Sequence, residues 1–187
     1  MPPLTEQAHA IIRLAVQVGD TAIDATAGNG HDTVFLARLV GTRGKVFAID
    51  VQQSALDRTA ERLLAAGLTN ATLLRCDHAE LRASVPVEHH GCIATAMFNL
   101  GYLPGGDLAV TTDASRTVAA IVAALELLRP QGVLTVIAYV GHAGGLDEAT
   151  TVEQLLRGLN PTEFTLQLPE TSWKAINAPR LYVVTKR

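Results

Sequence analysis

An aspartate and two glycines stand close together in Asp24-Ala25-Thr26-Ala27-Gly28-Asn29-Gly30, between an apolar run and a stretch with helical spacing. Glycine lets a strand-to-helix turn bend sharply and lets backbone approach a ligand, since no Cβ intervenes. The N–H groups at the start of the next helix then face whatever sits there. Alone, such a turn is equally well a tight connection. Asp50 adds weight to the binding reading: it closes Val46-Phe47-Ala48-Ile49 about 20 residues past the glycines, where a carboxylate can accept from both hydroxyls of a ribose. Its other possible use is as an acid at a helix N-terminus, favoured by the dipole. Asp77, in Cys76-Asp77-His78 after a third apolar run, can accept from an exocyclic amine or simply form a polar turn. Thr26, Asn29, His31, Asp32 and Thr33 in the first segment, with Gln52 and His78 beside the later acids, complete the candidate contacts. Thr33 occupies the position where the dinucleotide fingerprint has its third Gly or Ala, which argues against a nicotinamide cofactor.

Two further strings follow the later apolar runs: Ala96-Met97-Phe98-Asn99-Leu100-Gly101-Tyr102-Leu103-Pro104-Gly105-Gly106-Asp107 and Tyr139-Val140-Gly141-His142-Ala143-Gly144-Gly145. Asp24, the glycines, Asp50 and Asp77 together resemble the cofactor motifs of class I methyltransferases. With the two later strings, in order and at compatible spacing over nearly the whole chain, the sequence resembles the rRNA-methylase family, whose members include tRNA wobble-uridine methyltransferases. It departs from the family at Ala143, where a proline is expected, and at Ala27, where a larger residue is common. Both changes bear on substrate detail more than on chemistry.

The resemblance implies S-adenosyl-L-methionine as cofactor and a tRNA anticodon stem-loop as substrate, the primary amine of 5-aminomethyl-2-thiouridine being N-methylated. Methyl transfer from a sulfonium is an in-line displacement that needs a free lone pair about 3 to 3.5 Å from the methyl carbon. An alkylamine is mostly protonated near neutrality, so the site must desolvate it or accept its proton. Asn99 is the first candidate to orient the amine, and it also counts among the cofactor contacts. Its side-chain carbonyl and the backbone carbonyls of Phe98 and Leu100 could accept without adding a full negative charge, although Asn99 could equally just cap the turn. Tyr102 could stack on a flipped base or be an ordinary half-buried aromatic. His142 could contact phosphate or relay a proton, or only satisfy loop backbone. Leu100, Gly101, Gly105, Gly106, Asp107 and Tyr139 are expected on the substrate side. Arg116, Lys174 and Arg180, the last two flanking Trp173 in a late loop, are expected to contact RNA. His89-His90-Gly91-Cys92 offers three potential ligands without a fourth, so no metal is expected.

The elements that must position these residues alternate between short β-branched runs and helix-period stretches, the pattern of strands joined by crossover helices. The spacing predicts helices over 4–16, 31–40, 54–66, 112–128 and 146–159, with Ile11, Ile12, Leu14 and Ala15 on or near the first helix's buried stripe. Strands are predicted over 21–24, 45–50, 72–75, 91–97 and 133–139, with 164–168 and 181–185 as an antiparallel pair closing the sheet. Arg129-Pro130-Gln131-Gly132 stops the long helix. The expected fold is α/β: a Rossmann-like class I methyltransferase with a mostly parallel seven-stranded sheet and helices on both faces.

At 187 residues and 48% hydrophobic content the chain has enough material for one sizeable core, and a single domain is expected. Neither cysteine has a paired spacing, which fits a reducing cytoplasm rather than a disulfide framework. The start of the chain lacks a basic leader, and no apolar stretch is long enough to span a bilayer, so neither secretion nor membrane insertion is expected. A net charge of -3 means that a polyanionic partner must meet a local patch. An exposed sheet edge would permit a homodimer. Competing readings are a methyltransferase for rRNA or a small amine, an NAD-type or other nucleotide-binding module, and a non-catalytic partner that has kept the fold.

Overall fold

The computed structural model describes residues 2–101, 112–141, 143–169 and 178–187. Tyr102, Gly105, Gly106, Asp107, His142 and Lys174, with Trp173, lie outside them. The described elements run α1 (Leu4–Ala15), β1 (Thr21–Asp24), α2 (His31–Val40), β2 (Lys45–Asp50), α3 (Gln53–Ala65) and β3 (Ala71–Arg75). A 3-10 turn (His78–Glu80), α4 (Leu81–Ser84) and a second 3-10 turn (Val87–His89) follow. Next come β4 (Ile93–Leu100), α5 (Ala114–Leu127), β5 (Leu128–Ala138), α6 (Gly145–Arg157), β6 (Phe164–Gln167) and β7 (Arg180–Lys186).

The strands form one seven-stranded sheet in the order β3-β2-β1-β4-β5-β7-β6. The first five are parallel; β7 pairs antiparallel with β6, as expected, and also with β5. Period-two alternation sorts the apolar residues into two layers. Ile23, Ile49, Phe98, Val136 and Tyr182 pack with α5 and α6 on one face. Ala22, Val46, Ile137 and Val183 pack with Ile12 of α1 and Leu36 of α2 on the other. Chain order reverses between β1 and β4, which both leave the sheet at their C-terminal ends, so their loops part and open a crevice there.

Several expectations need correcting. Leu14 is 91% exposed rather than on the buried stripe, and α1 ends at Ala15. β4 continues past Met97 to Leu100, because residues 98–100 pair in register with Val136, Ile137 and Ala138. Asn99 is therefore held by a ladder rather than by a loop. α5 begins at Ala114, where Asp113 accepts from the N–H groups of Ser115 and Arg116 as N-cap. β5 starts at Leu128, earlier than predicted, and bends through Gln131, whose φ is 63°. The two 3-10 turns and α4 lack a clear periodic signal and were not anticipated.

Candidate active site

Five strand ends and the start of α5 surround a cavity of about 1050 Å³. β1 delivers Asp24 fully buried beneath it. The Thr33 hydroxyl donates to Asp24 Oδ2 at 2.6 Å, and the Thr26 N–H donates to Oδ1 at 3.3 Å. Burial, and then the negative charge of Asp32, push the Asp24 carboxyl up to about 7. Asp24, Gly30 and Thr33 do not line the cavity; they brace the loop that does. Gly30 caps α2 with φ 78°, and a Cβ there would lie 2.8 Å from Thr59 Cα. α3 grips the same loop at two more points: the Thr59 hydroxyl donates to Gly28 O at 3.3 Å, and Arg62 Nε donates to Asn29 O at 2.9 Å.

Asp50, at the end of β2, receives the N–H of Gly28 on Oδ2 and that of Gln52 on Oδ1, each at 2.9 Å. A carboxylate has about four acceptor sites. Asp50 therefore keeps capacity for two hydroxyls while staying rigidly aimed, which fits a ribose diol. Asp77 accepts from the Ala79 N–H on Oδ1 at 2.9 Å and pairs through Oδ2 with Arg116. Despite partial burial, these hydrogen bonds and Arg116 hold its carboxyl below the usual range. His78, whose basicity is lowered mainly by burial, packs edge-on to Phe98. Asp77 keeps the spare acceptor capacity that an adenine amine needs. Both the polar-turn role and the ligand role are thus open to it.

Across the cavity, the Asn99 N–H donates to the Thr26 hydroxyl at 2.8 Å, and its side-chain Nδ2 donates to Asp32 Oδ2. Asn99 Oδ1 is buried with no partner among the described residues. Asp32 also meets His9 Nε2 at 2.6 Å through Oδ1, and the His9 ring stacks on Phe35 with centroids 3.7 Å apart. His9 was missed in the sequence. It borders the buried stripe of α1 marked by Ala8 and Ile12, but a partner 23 residues away leaves no local spacing to read. Thr5 and Thr112 also line the cavity and were not anticipated. Thr112 donates to Glu148 at 2.6 Å, as does Thr117, tying the entry of α5 to α6.

The structure gathers Thr26, Gly28, Asn29, His31, Asp32, Asp50, Gln52, Asp77, His78, Asn99, Leu100, Gly101, Arg116 and Tyr139 around the one cavity. The Leu100 carbonyl accepts the Tyr139 N–H at 3.1 Å and, with two lone pairs, keeps one acceptor site. Tyr139 lines the cavity together with Asn99, and burial followed by the charge of Asp32 raises its phenol. Arg116 pairs with Asp77 while its side chain stays largely exposed. Arg180 opens β7 outside the cavity and pairs with Glu153 at 3.2 Å. His89 and His90 bond near Thr21 and to Val85 O, at the opposite end of the strands, and Cys92 precedes β4 on the surface.

The sheet order, the clamped glycine loop and the strand-end acids define the class, an S-adenosylmethionine-dependent methyltransferase of the Rossmann-like kind. The family model described as "Putative rRNA methylase" matches residues 46–185, and the chain belongs to that family. A chloroplastic tRNA (mnm5s2U34)-methyltransferase from Arabidopsis thaliana is 37% identical over 164 residues, covering 83% of this chain and 59% of that protein. The chain thus spans a little under three fifths of that relative. A Clostridium thermocellum structure described as an rRNA-methylase in the same terms superposes with a TM-score of 0.93 at 35% identity, covering 100% of this chain and 99% of that one. A Streptococcus mutans structure described as a methyltransferase "in complex with SAH" gives 0.88 at 33% identity, with 100% and 99% covered. No helix among the described residues is long and apolar enough to cross a membrane.

Proposed function

We propose that this chain N-methylates the primary amine of 5-aminomethyl-2-thiouridine at the wobble position of tRNA, with S-adenosylmethionine as methyl donor. The observation that carries the reading is Asn99 Oδ1, a buried acceptor with no partner among the described residues, at the edge of the cavity that Asp50 and Asp77 frame. The name of the Arabidopsis relative supports the same substrate.

When bound, the cofactor supplies an electrophilic methyl group. The chain's own residues then have separate tasks. Asp50 and Asp77 hold the nucleoside end through their remaining acceptor sites, and the clamped Gly28–Asn29 backbone fixes the loop against it. Asp32 takes the Asn99 amide N–H, so the carbonyl is the atom left to face the amine. A neutral carbonyl accepts an amine N–H without favouring the ammonium as a carboxylate would. Ile49, Leu100 and Tyr139 line the same space and reduce water around the amine, which lowers its pKa toward the reactive form.

The test is nucleoside mass spectrometry of tRNA that carries the aminomethyl nucleoside, after incubation with the purified protein and isotopically labelled cofactor. The expected product is the labelled methylaminomethyl nucleoside. Label in rRNA or in small amines, with none in tRNA, would replace this substrate.

A further inference from the structure

A second groove, of about 530 Å³, runs between α1, α2 and α3 and shares His9 and His31 with the cofactor cavity. Its lining carries Arg13, Arg38 and Arg62 and no carboxylate. In a chain of net charge -3 this is a local excess of cations. Arg82, Arg116, Arg129, Arg157 and Arg180 are each engaged with a carboxylate, whereas none of the three groove arginines is in an ion pair among the described residues. Two of the three are nevertheless held in place. The Arg13 guanidinium lies 4.9 Å from the centroid of the Phe35 ring, a stack that leaves its N–H edges available. Arg62 uses Nε on Asn29 O and makes no hydrogen bond at either Nη among the described residues, so the groove is tied directly to the cofactor loop.

We propose that this groove is the track for the RNA backbone: Arg13, Arg38 and Arg62 grip phosphates flanking the target nucleotide, whose base passes His9 and His31 into the cavity. The inference rests on the RNA-methylation reading above. The guanidinium fork matches phosphate oxygens, and arginines held in position lose little freedom on binding them. Desolvating a cationic groove without carboxylates is favourable only with an anionic partner. The shared histidines make the track continuous with the place where a flipped base must arrive. A small amine substrate would need no such surface.

The test compares wild type with Arg38→Ala, Arg13→Ala/Arg38→Ala and, as a control at the opposite rim between α2 and β2, Arg43→Ala. Cofactor affinity is measured by calorimetry, methyl transfer to tRNA by steady-state kinetics, and tRNA binding as a function of salt. The double variant should keep kcat and cofactor Kd within about two-fold, raise KM for tRNA about ten-fold, and make the log K against log salt slope shallower by roughly 1 to 2, since each lost phosphate contact removes about 0.7–0.9. Arg38→Ala, which disturbs no described contact, should give about half the change in slope, and Arg43→Ala none. Unchanged KM and slope in both groove variants, with wild type active on tRNA, would overturn the groove alone. A wild type that methylates no RNA would overturn the parent reading, and this one with it.

Discussion

Asp24 and Asn99 stand on either side of Thr26, one below the cavity and one facing it, and they respond to different probes. Asp24 ionises near 7 in the fold against 3.8 in the unfolded chain, so the fold favours its protonated form. Its contribution to stability is therefore complete below about pH 4 and is lost as pH rises through 7, an effect of roughly 4 kcal/mol for about three units. Urea titrations of Asp24→Asn should show a flatter stability profile between pH 4 and 7 than wild type. A bound sulfonium cofactor with net positive charge favours the ionised carboxylate, so wild-type cofactor affinity should fall as pH drops below 7, and the variant should lose that slope in calorimetry. At Asn99, truncation to Ala removes a fixed acceptor, and kcat for the amine substrate should fall by roughly 10² or more while cofactor Kd changes far less. Equal losses in both would make Asn99 a cofactor residue only. The strand-end acids were legible because a carboxylate that closes an apolar run has few structural uses. His9 was not, because its meaning lies in Asp32 and Phe35, on another helix.

The glycine loop works only because α3 is packed against it. In Gly30→Ala the new Cβ would stand 2.8 Å from Thr59 Cα, a backbone atom, on top of a left-handed φ of 78°. Gly67 has a similar φ of 67° with nothing within 4 Å of its Cβ position, so Gly67→Ala isolates the conformational penalty. Gly67→Ala should lose about 1 kcal/mol and Gly30→Ala roughly 2–4 kcal/mol by urea denaturation, only the latter weakening cofactor binding. Equal losses would show that the Thr59 contact relaxes freely. Most elements were legible at this scale because β1, β2 and α2 are bounded by glycines and strand-end acids, which punctuate a chain from within. β4 was misjudged at its end: Asn99 looks like a turn residue, and only the ladder with β5 keeps it extended. Leu14 was misplaced because the first helix has more apolar residues than its one buried face can take.

At the scale of the whole molecule, the cavity belongs to no single element. Its walls come from the ends of β1, β2, β3, β4 and β5 and from the start of α5, which the Asp77–Arg116 pair joins to the third strand's end. A ligand that touches all of these adds contacts that exist only in the folded chain, so it must raise stability by mass action. At a hundred-fold excess over Kd the gain is about 2.7 kcal/mol. A chain of this length shifts by about 2–4 °C per kcal/mol, so S-adenosylmethionine should raise Tm by roughly 5–10 °C. NAD at equal concentration should leave Tm unmoved, since Thr33 stands where a dinucleotide loop has its third small residue and its hydroxyl is committed to Asp24. A comparable shift with NAD, and none with S-adenosylmethionine, would mean that the crevice serves a different nucleotide. Arg116→Ala is the sharper variant of the same scan. It removes the pair that bridges α5 to Asp77 but no other described wall of the cavity, so the apo Tm should change by less than a degree or two. The cofactor-induced shift should shrink if closure over the adenine end depends on that bridge. A full shift in Arg116→Ala would assign the adenine contact to Asp77 and its own turn alone.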